Sequence, residues 1–144
     1  MDSEKISVSL QLLDGKAKYN AESPVGDHPA VTIDTHPPIG TDEGYTPLEL
    51  FLFALGGCVS ITIVNILRQK EQKHVMSVAL HVVGVLRDTN PQGFTHVDIQ
   101  MNIESPDADQ SDVQRAISDA EERICPMLSM IKNNVDVKIT FDLG

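Results

Sequence analysis

The chain of 144 residues has no tryptophan, four phenylalanines and two tyrosines, and its first arginine is Arg68. So few aromatic rings leave no stacking platform for nucleic-acid bases. Basic residues are scarce too: 11 lysines and arginines stand against 21 acids, a formal charge of -10. That charge repels phosphate backbones and anionic lipid heads, so neither nucleic acid nor a membrane surface is an expected partner. The acids of segment 107–122 read as a solvated face. The opening Met1-Asp2-Ser3-Glu4 has no basic stretch followed by an apolar one, and the expected location is the cytoplasm. The histidines (His28, His36, His74, His81, His96) show no metal-ligand spacing, and two cysteines do not complete a zinc set. No metal or other cofactor is expected. No Gly-x-Ser-x-Gly elbow surrounds Ser60 or Thr62, so both read as helix residues bonded back to their own backbone.

What is present fits one domain over residues 1–144, long enough to bury a core without a staple. Residues 5–13 alternate apolar and polar, which predicts a strand with one buried face. Asp14-Gly15 signals a hairpin, residues 16–21 a second strand and residues 30–34 a third. A loop with breakers at both ends occupies residues 35–45. Thr46-Pro47-Leu48-Glu49 is a strong helix start: Thr46 as N-cap, Pro47 as first helical residue, Glu49 as capping-box partner. The helix should run to about Gln72 and is apolar nearly all round from Leu48 to Leu67. Such a helix is buried or membrane-spanning. Its glycine pair and polar residues point to protein neighbours, and a second subunit is the natural cover for faces that one small sheet cannot reach. Two further alternating runs, 75–87 and 93–104, are linked as a hairpin by residues 88–93, with His81 and His96 placed to face each other. An amphipathic helix over about 110–124, with Val113, Ala116, Ile117 and Ala120 inward, leads to Cys125-Pro126, a short helix and a last strand on Val135, Val137, Ile139 and Phe141. The order β-β-β-α-β-β-α-α-β predicts an α+β fold with largely antiparallel sheets around a long buried central helix.

Cys58 and Cys125 are the only cysteines, far apart in sequence and without a secretion signal, which points to redox chemistry before a structural staple. The thiolate is the reacting form, and on local grounds Cys125 is the better candidate, because Pro126 sets it beside a helix N-terminus. The competing reading is that both thiols are small buried hydrophobes.

Tyr45-Thr46-Pro47-Leu48-Glu49-Leu50-Phe51-Leu52-Phe53-Ala54-Leu55-Gly56-Gly57-Cys58 resembles the central helix of the OsmC/Ohr family, and Cys125-Pro126-Met127-Leu128-Ser129 is similar to the family's Cys-Pro segment. Strand order and length agree with it over nearly the whole chain. The resemblance implies an intertwined homodimer with active sites at the subunit interface. It implies a thiol peroxidase acting on organic hydroperoxides. The residue matching Cys58 is oxidised to a sulfenic acid, the residue matching Cys125 condenses with it to a disulfide, and a dithiol reductant resets the pair.

The family's peroxidases also pair an arginine of the N-terminal strands with a glutamate directly after the helix-opening proline. Here Lys16 and Lys18 are the only bases near that place, Leu48 follows Pro47, and the glutamate is one residue later, at Glu49. Glu49 therefore has two readings, a capping residue or a group that orients a cation beside Cys58. His36 stands in the loop before the helix, where it lines a pocket or is simply a surface residue. Met127 and Met130 are placed to wall the surroundings of Cys125, and Gly56 and Gly57 to permit close helix contact. The alternative function on the same scaffold is a non-catalytic protein holding a small hydrophobic ligand at the dimer interface. A third is a structural dimer with core cysteines.

Overall fold

The computed structural model describes residues 3–144, so Met1 and Asp2 of the N-terminal reading lie outside the described residues. The chain divides into two compact units at Phe51/Leu52.

The N-terminal unit holds a three-stranded antiparallel sheet of β1 (Ser9–Leu12), β2 (Tyr19–Glu22) and β3 (Val31–Ile33), in that order. The turn after β1 is held by Asp14, whose Oδ1 accepts the Lys16 and Lys18 N–H groups at 2.9 and 3.2 Å. The predicted buried face of β1 is absent from this unit: all four of its residues are exposed. Only Asp34 and Gly40 are buried among its described residues. Helix α1 (Pro47–Asn65) starts here, with Thr46 and Glu49 forming the predicted capping box, and continues into the second unit.

The C-terminal unit contains the apolar core. Strands β4 (Ser77–Leu86), β5 (Phe94–Glu104) and β6 (Asp136–Leu143) form a sheet with β5 central. Period-two alternation places Val97, Ile99, Met101 and Ile103 inward, all 1% exposed or less. Gly56 of α1 lies against β4, where a Cβ would come within 2.9 Å of Val82 Cγ2. Gly57 faces open space, so of the glycine pair only Gly56 mediates a close approach. Leu55, Val59 and Ile63 are fully buried on the same helix, while Ile61 is 73% exposed, so its apolar circumference is half covered. By length and composition, Pro47–Lys70 could cross a membrane, yet part of its surface packs on a sheet.

Helix α2 (Gln110–Asp119) opens with a capping box between Asp109 and Asp112 and buries Val113, Ala116 and Ile117, as its periodicity predicts. Both α1 and α2 end in a π-turn, Ile66–Lys70 and Ala120–Ile124 respectively. Helix α3 (Pro126–Ile131) follows. The pairings of the named strands are antiparallel but for one, in keeping with the largely antiparallel expectation, and one expectation, on His81 and His96, changes. Strand β6 pairs parallel to β5, because α2 and α3 together supply a crossover connection that brings the chain back to the same end. His81 and His96 do not face each other: His81 is opposite Gln100 and His96 opposite Val85.

Candidate active site

The two cysteines, 67 residues apart, come together in the C-terminal unit with their sulfurs 3.3 Å apart. Both are free thiols, Cys58 half-buried and Cys125 2% exposed. Cys58 is carried on α1 three residues after the buried Leu55 and four before the buried Thr62, so the helix face that packs inward also aims the sulfur. Cys125 is delivered by the π-turn, in which its N–H donates to the Ala120 carbonyl at 3.0 Å. Pro126 at the first helical position then starts α3, and the Ser129 N–H returns to the Cys125 carbonyl at 3.1 Å.

The Cys125 S–H donates toward Cys58 Sγ. Burial pushes the Cys125 thiol above the ordinary cysteine range; backbone N–H groups of Leu128 and Met127 pull the other way, and contact with Cys58 adds to the rise. The helix-start effect argued from sequence is thus present but outweighed by desolvation. Burial thus works against the thiolate form of Cys125 that its place beside a helix start favours.

Around α3, Met127 is half-buried and Met130 is 69% exposed, so Met130 does not fill a core in this chain. Ile124, just before Cys125, is 48% exposed.

Glu49 is placed in the N-terminal unit. Its Oε1 accepts the Thr46 N–H at 2.9 Å and the Thr46 hydroxyl at 3.0 Å, while its own N–H donates to Thr46 Oγ1 at 3.2 Å. The Thr46 N–H, then its hydroxyl, hold the Glu49 carboxyl below the ordinary glutamate range, and the His36 charge adds to this. The capping reading accounts for these contacts. Glu49 stands nine residues before Cys58 in the sequence of α1.

Glu49 borders a groove of about 490 Å³ with Thr32, His36, Asp42, Glu43 and Tyr45. His36 Nδ1 lies 3.2 Å from Asp42 Oδ1. Lys18 Nζ is 3.5 Å from Glu43. Lys16 contributes a backbone N–H to the β1–β2 turn.

The residue that sequence reasoning missed is Asp34, which organises this loop. Its carboxylate accepts the N–H of Thr35 at 2.7 Å, of Glu43 at 3.1 Å and of Thr41 at 3.4 Å, and the Thr41 hydroxyl at 3.0 Å. Burial alone would raise its pKa; the bonds from Glu43, Thr35 and Thr41 outweigh burial and hold it below the ordinary aspartate value. Gly40 has no room for a Cβ, which would collide with this carboxylate and the Thr35 carbonyl. The signal was in the sequence: an aspartate opening a Pro-, Gly- and Thr-rich loop is a turn organiser.

Residues 40–140 match the family described as OsmC-like protein. Protein YhfA of Escherichia coli (strain K12) is 28% identical over 102 residues, 71% of this chain and 75% of that protein. A hypothetical protein from Aquifex aeolicus VF5 superposes with a TM-score of 0.82 at 22% identity, covering 99% of this chain and 98% of its own. An organic hydroperoxide resistance protein OsmC from Legionella pneumophila superposes at 0.74 with 19% identity, covering 99% of both chains. At these identities the solved structures show a shared α+β fold.

Proposed function

The chain belongs to the OsmC-like protein family, and on that premise we propose that it is a thiol-dependent redox protein that reduces organic hydroperoxides through a Cys58/Cys125 cycle. The observation that carries this reading is the 3.3 Å contact between the sulfurs. A nearby thiol can trap a sulfenic acid before further oxidation.

In the proposed cycle the Cys58 thiolate attacks the terminal peroxide oxygen. The O–O bond breaks, the alkoxide takes a proton and leaves as the alcohol, and Cys58 becomes a sulfenic acid. Cys125 then attacks the Cys58 sulfur, the S–O bond breaks and water leaves, giving the disulfide. A dithiol reductant returns two electrons by exchange and leaves as its own disulfide. The burial of Cys125 and its raised pKa suit this order, because it waits as a thiol until its partner is electrophilic.

The working unit in this reading is a cytoplasmic homodimer. Support comes from α1, where Ile61 is 73% exposed, and from the N-terminal unit, where Ile6, Val8, Leu10 and Leu12 are 89%, 63%, 54% and 46% exposed. Full burial of such side chains stabilises by about 1.5–3 kcal/mol each, enough to favour cover by a second copy.

A second reading is favoured by two observations. No arginine precedes Arg68, and Glu49 is engaged in capping. In that reading the site holds a small hydrophobic ligand at the dimer interface without turnover.

The two separate on treating the reduced protein with one equivalent of cumene hydroperoxide, counting thiols and mapping disulfides, with Cys58→Ser in parallel. Loss of both thiols to a Cys58–Cys125 bond, absent in the variant, is the expected result. Thiols that stay reduced would overturn the peroxidase reading and leave ligand binding.

A further inference from the structure

Bonding the two cysteines requires movement, and the structure locates where it can occur. Their sulfurs must close from 3.3 Å to a covalent distance of about 2.05 Å. The helix backbone that carries Cys58 has little freedom to move. Cys58 follows Leu55 and precedes Val59, both fully buried, and Gly56 holds its helix against Val82 with no space for a methyl group.

Cys125 is attached differently. Upstream, α2 is tied to the segment that follows α1 by ion pairs: Arg115 Nε to Glu71 Oε1 at 2.9 Å, Lys70 Nζ to Asp119 Oδ2 at 2.5 Å, and Lys73 Nζ to Asp112 Oδ2 at 3.8 Å. Downstream, α3 buries only Leu128. Between Asp119 and Cys125 the chain passes through the π-turn Ala120–Ile124, of which only Ala120 is buried. A π-turn holds one residue more per hydrogen-bonded ring than an α-turn, and such turns recur at functional sites. Re-registering it from i→i−5 to i→i−4 bonding shifts a residue by about one helical rise, roughly 1.5 Å. That is of the size of the closure the sulfurs need, and it requires no movement of the buried helix.

We propose that the π-turn Ala120–Ile124 is a redox-sensitive hinge that re-registers when Cys125 bonds to Cys58, so that the oxidation state of the inner sulfur pair is written onto the exposed residues 121–124. The outward signs are Ile124, already half exposed, and Arg123, which bonds Asp119 beside Lys70. A reductant meeting this face would therefore encounter a different surface before and after oxidation. The hinge rests on the disulfide of the proposed cycle but not on which oxidant forms it.

The test is amide exchange on the full-length reduced protein and on protein oxidised with diamide. This azo oxidant takes two electrons and two protons from the dithiol to form the disulfide and a hydrazine, and needs no peroxide. The expected result is a change of about tenfold or more in exchange at amides 121–125, the Cys125 N–H included, with amides 55–63 of α1 within about twofold. Cys58→Ser treated with diamide should show neither change. The hinge is overturned if residues 121–125 keep their rates, if the change falls in α1, if it persists in Cys58→Ser, or if diamide forms no Cys58–Cys125 bond. Inertness toward cumene hydroperoxide would sink the peroxidase reading and leave this result standing.

Discussion

The two units of this chain are organised around opposite kinds of centre. The C-terminal unit has fully buried aliphatic side chains from a sheet and two helices, among them Ile99, Met101, Leu67 and Val113. The N-terminal unit has a buried carboxylate, Asp34, and no buried apolar residue among those described. Its aliphatic side chains, Ile6, Val8, Leu10 and Leu12 among them, lie outside. A hydrophobic core is self-sufficient, because its energy comes from area removed from water. A hydrogen-bonded loop fixes a shape but does not hide apolar surface. The difference teaches that one unit carries an apolar core of its own, whereas the other is ordered by hydrogen bonds and leaves its aliphatic side chains outside, to be covered in our proposal by a second copy.

The sharpest way to break this comparison is to damage each centre in turn. Ile99→Ala should cost about 2–5 kcal/mol in urea unfolding, as a large-to-small change in a packed core does. Leu12→Ala should cost under about 0.5 kcal/mol in a single chain. A Leu12→Ala loss as large as that of Ile99→Ala would show that the N-terminal side chains are covered in solution.

Adjacent glycines give a finer comparison on one helix. Gly56→Ala puts a Cβ within 2.9 Å of Val82 Cγ2 and should cost about 1–3 kcal/mol. Gly57→Ala meets nothing within 4 Å and should gain about 0.5–1 kcal/mol from the better helix former. Equal losses at both positions would place a second surface on the Gly57 side.

The smallest effect expected is acid loosening confined to the N-terminal loop. The folded-state pKa of Asp34 is lowered, the hydrogen bonds from Glu43, Thr35 and Thr41 outweighing burial. Its contribution is therefore present above the ordinary aspartate range, near about 4, and is lost as pH falls through the folded value below it. The Thr41 and Glu43 amides should exchange faster in acid, relative to their intrinsic rates, while the β5 amides hold. Uniform loosening of both would show that Asp34 is not the local centre.

Much of this molecule was legible residue by residue. Thr46, Pro47 and Glu49 announced the start of α1, and they form the capping box. Val113, Ala116, Ile117 and Ala120 announced the inner face of α2 and its continuation, and all four are buried. Less was legible where distance along the chain separates partners. His81 and His96 were assigned to each other, but the hairpin register, set by the turn at residues 87–93, pairs them elsewhere. The parallel partner of β6 depends on how two helices return the chain. The electrostatic argument at Cys125 identified a real helix start but could not weigh it against burial, which is a property of the fold.

The sequence by itself determined the elements, their order, the helix caps and the identity of the two sulfurs. Periodicity and capping act over three or four residues and are written locally. The tertiary structure alone decided that those sulfurs meet at 3.3 Å, that a π-turn delivers one of them, and that a carboxylate rather than an aliphatic cluster centres the N-terminal unit. Each of these depends on desolvation and on contacts across tens of residues. Those energies come into being only when the chain has closed upon itself.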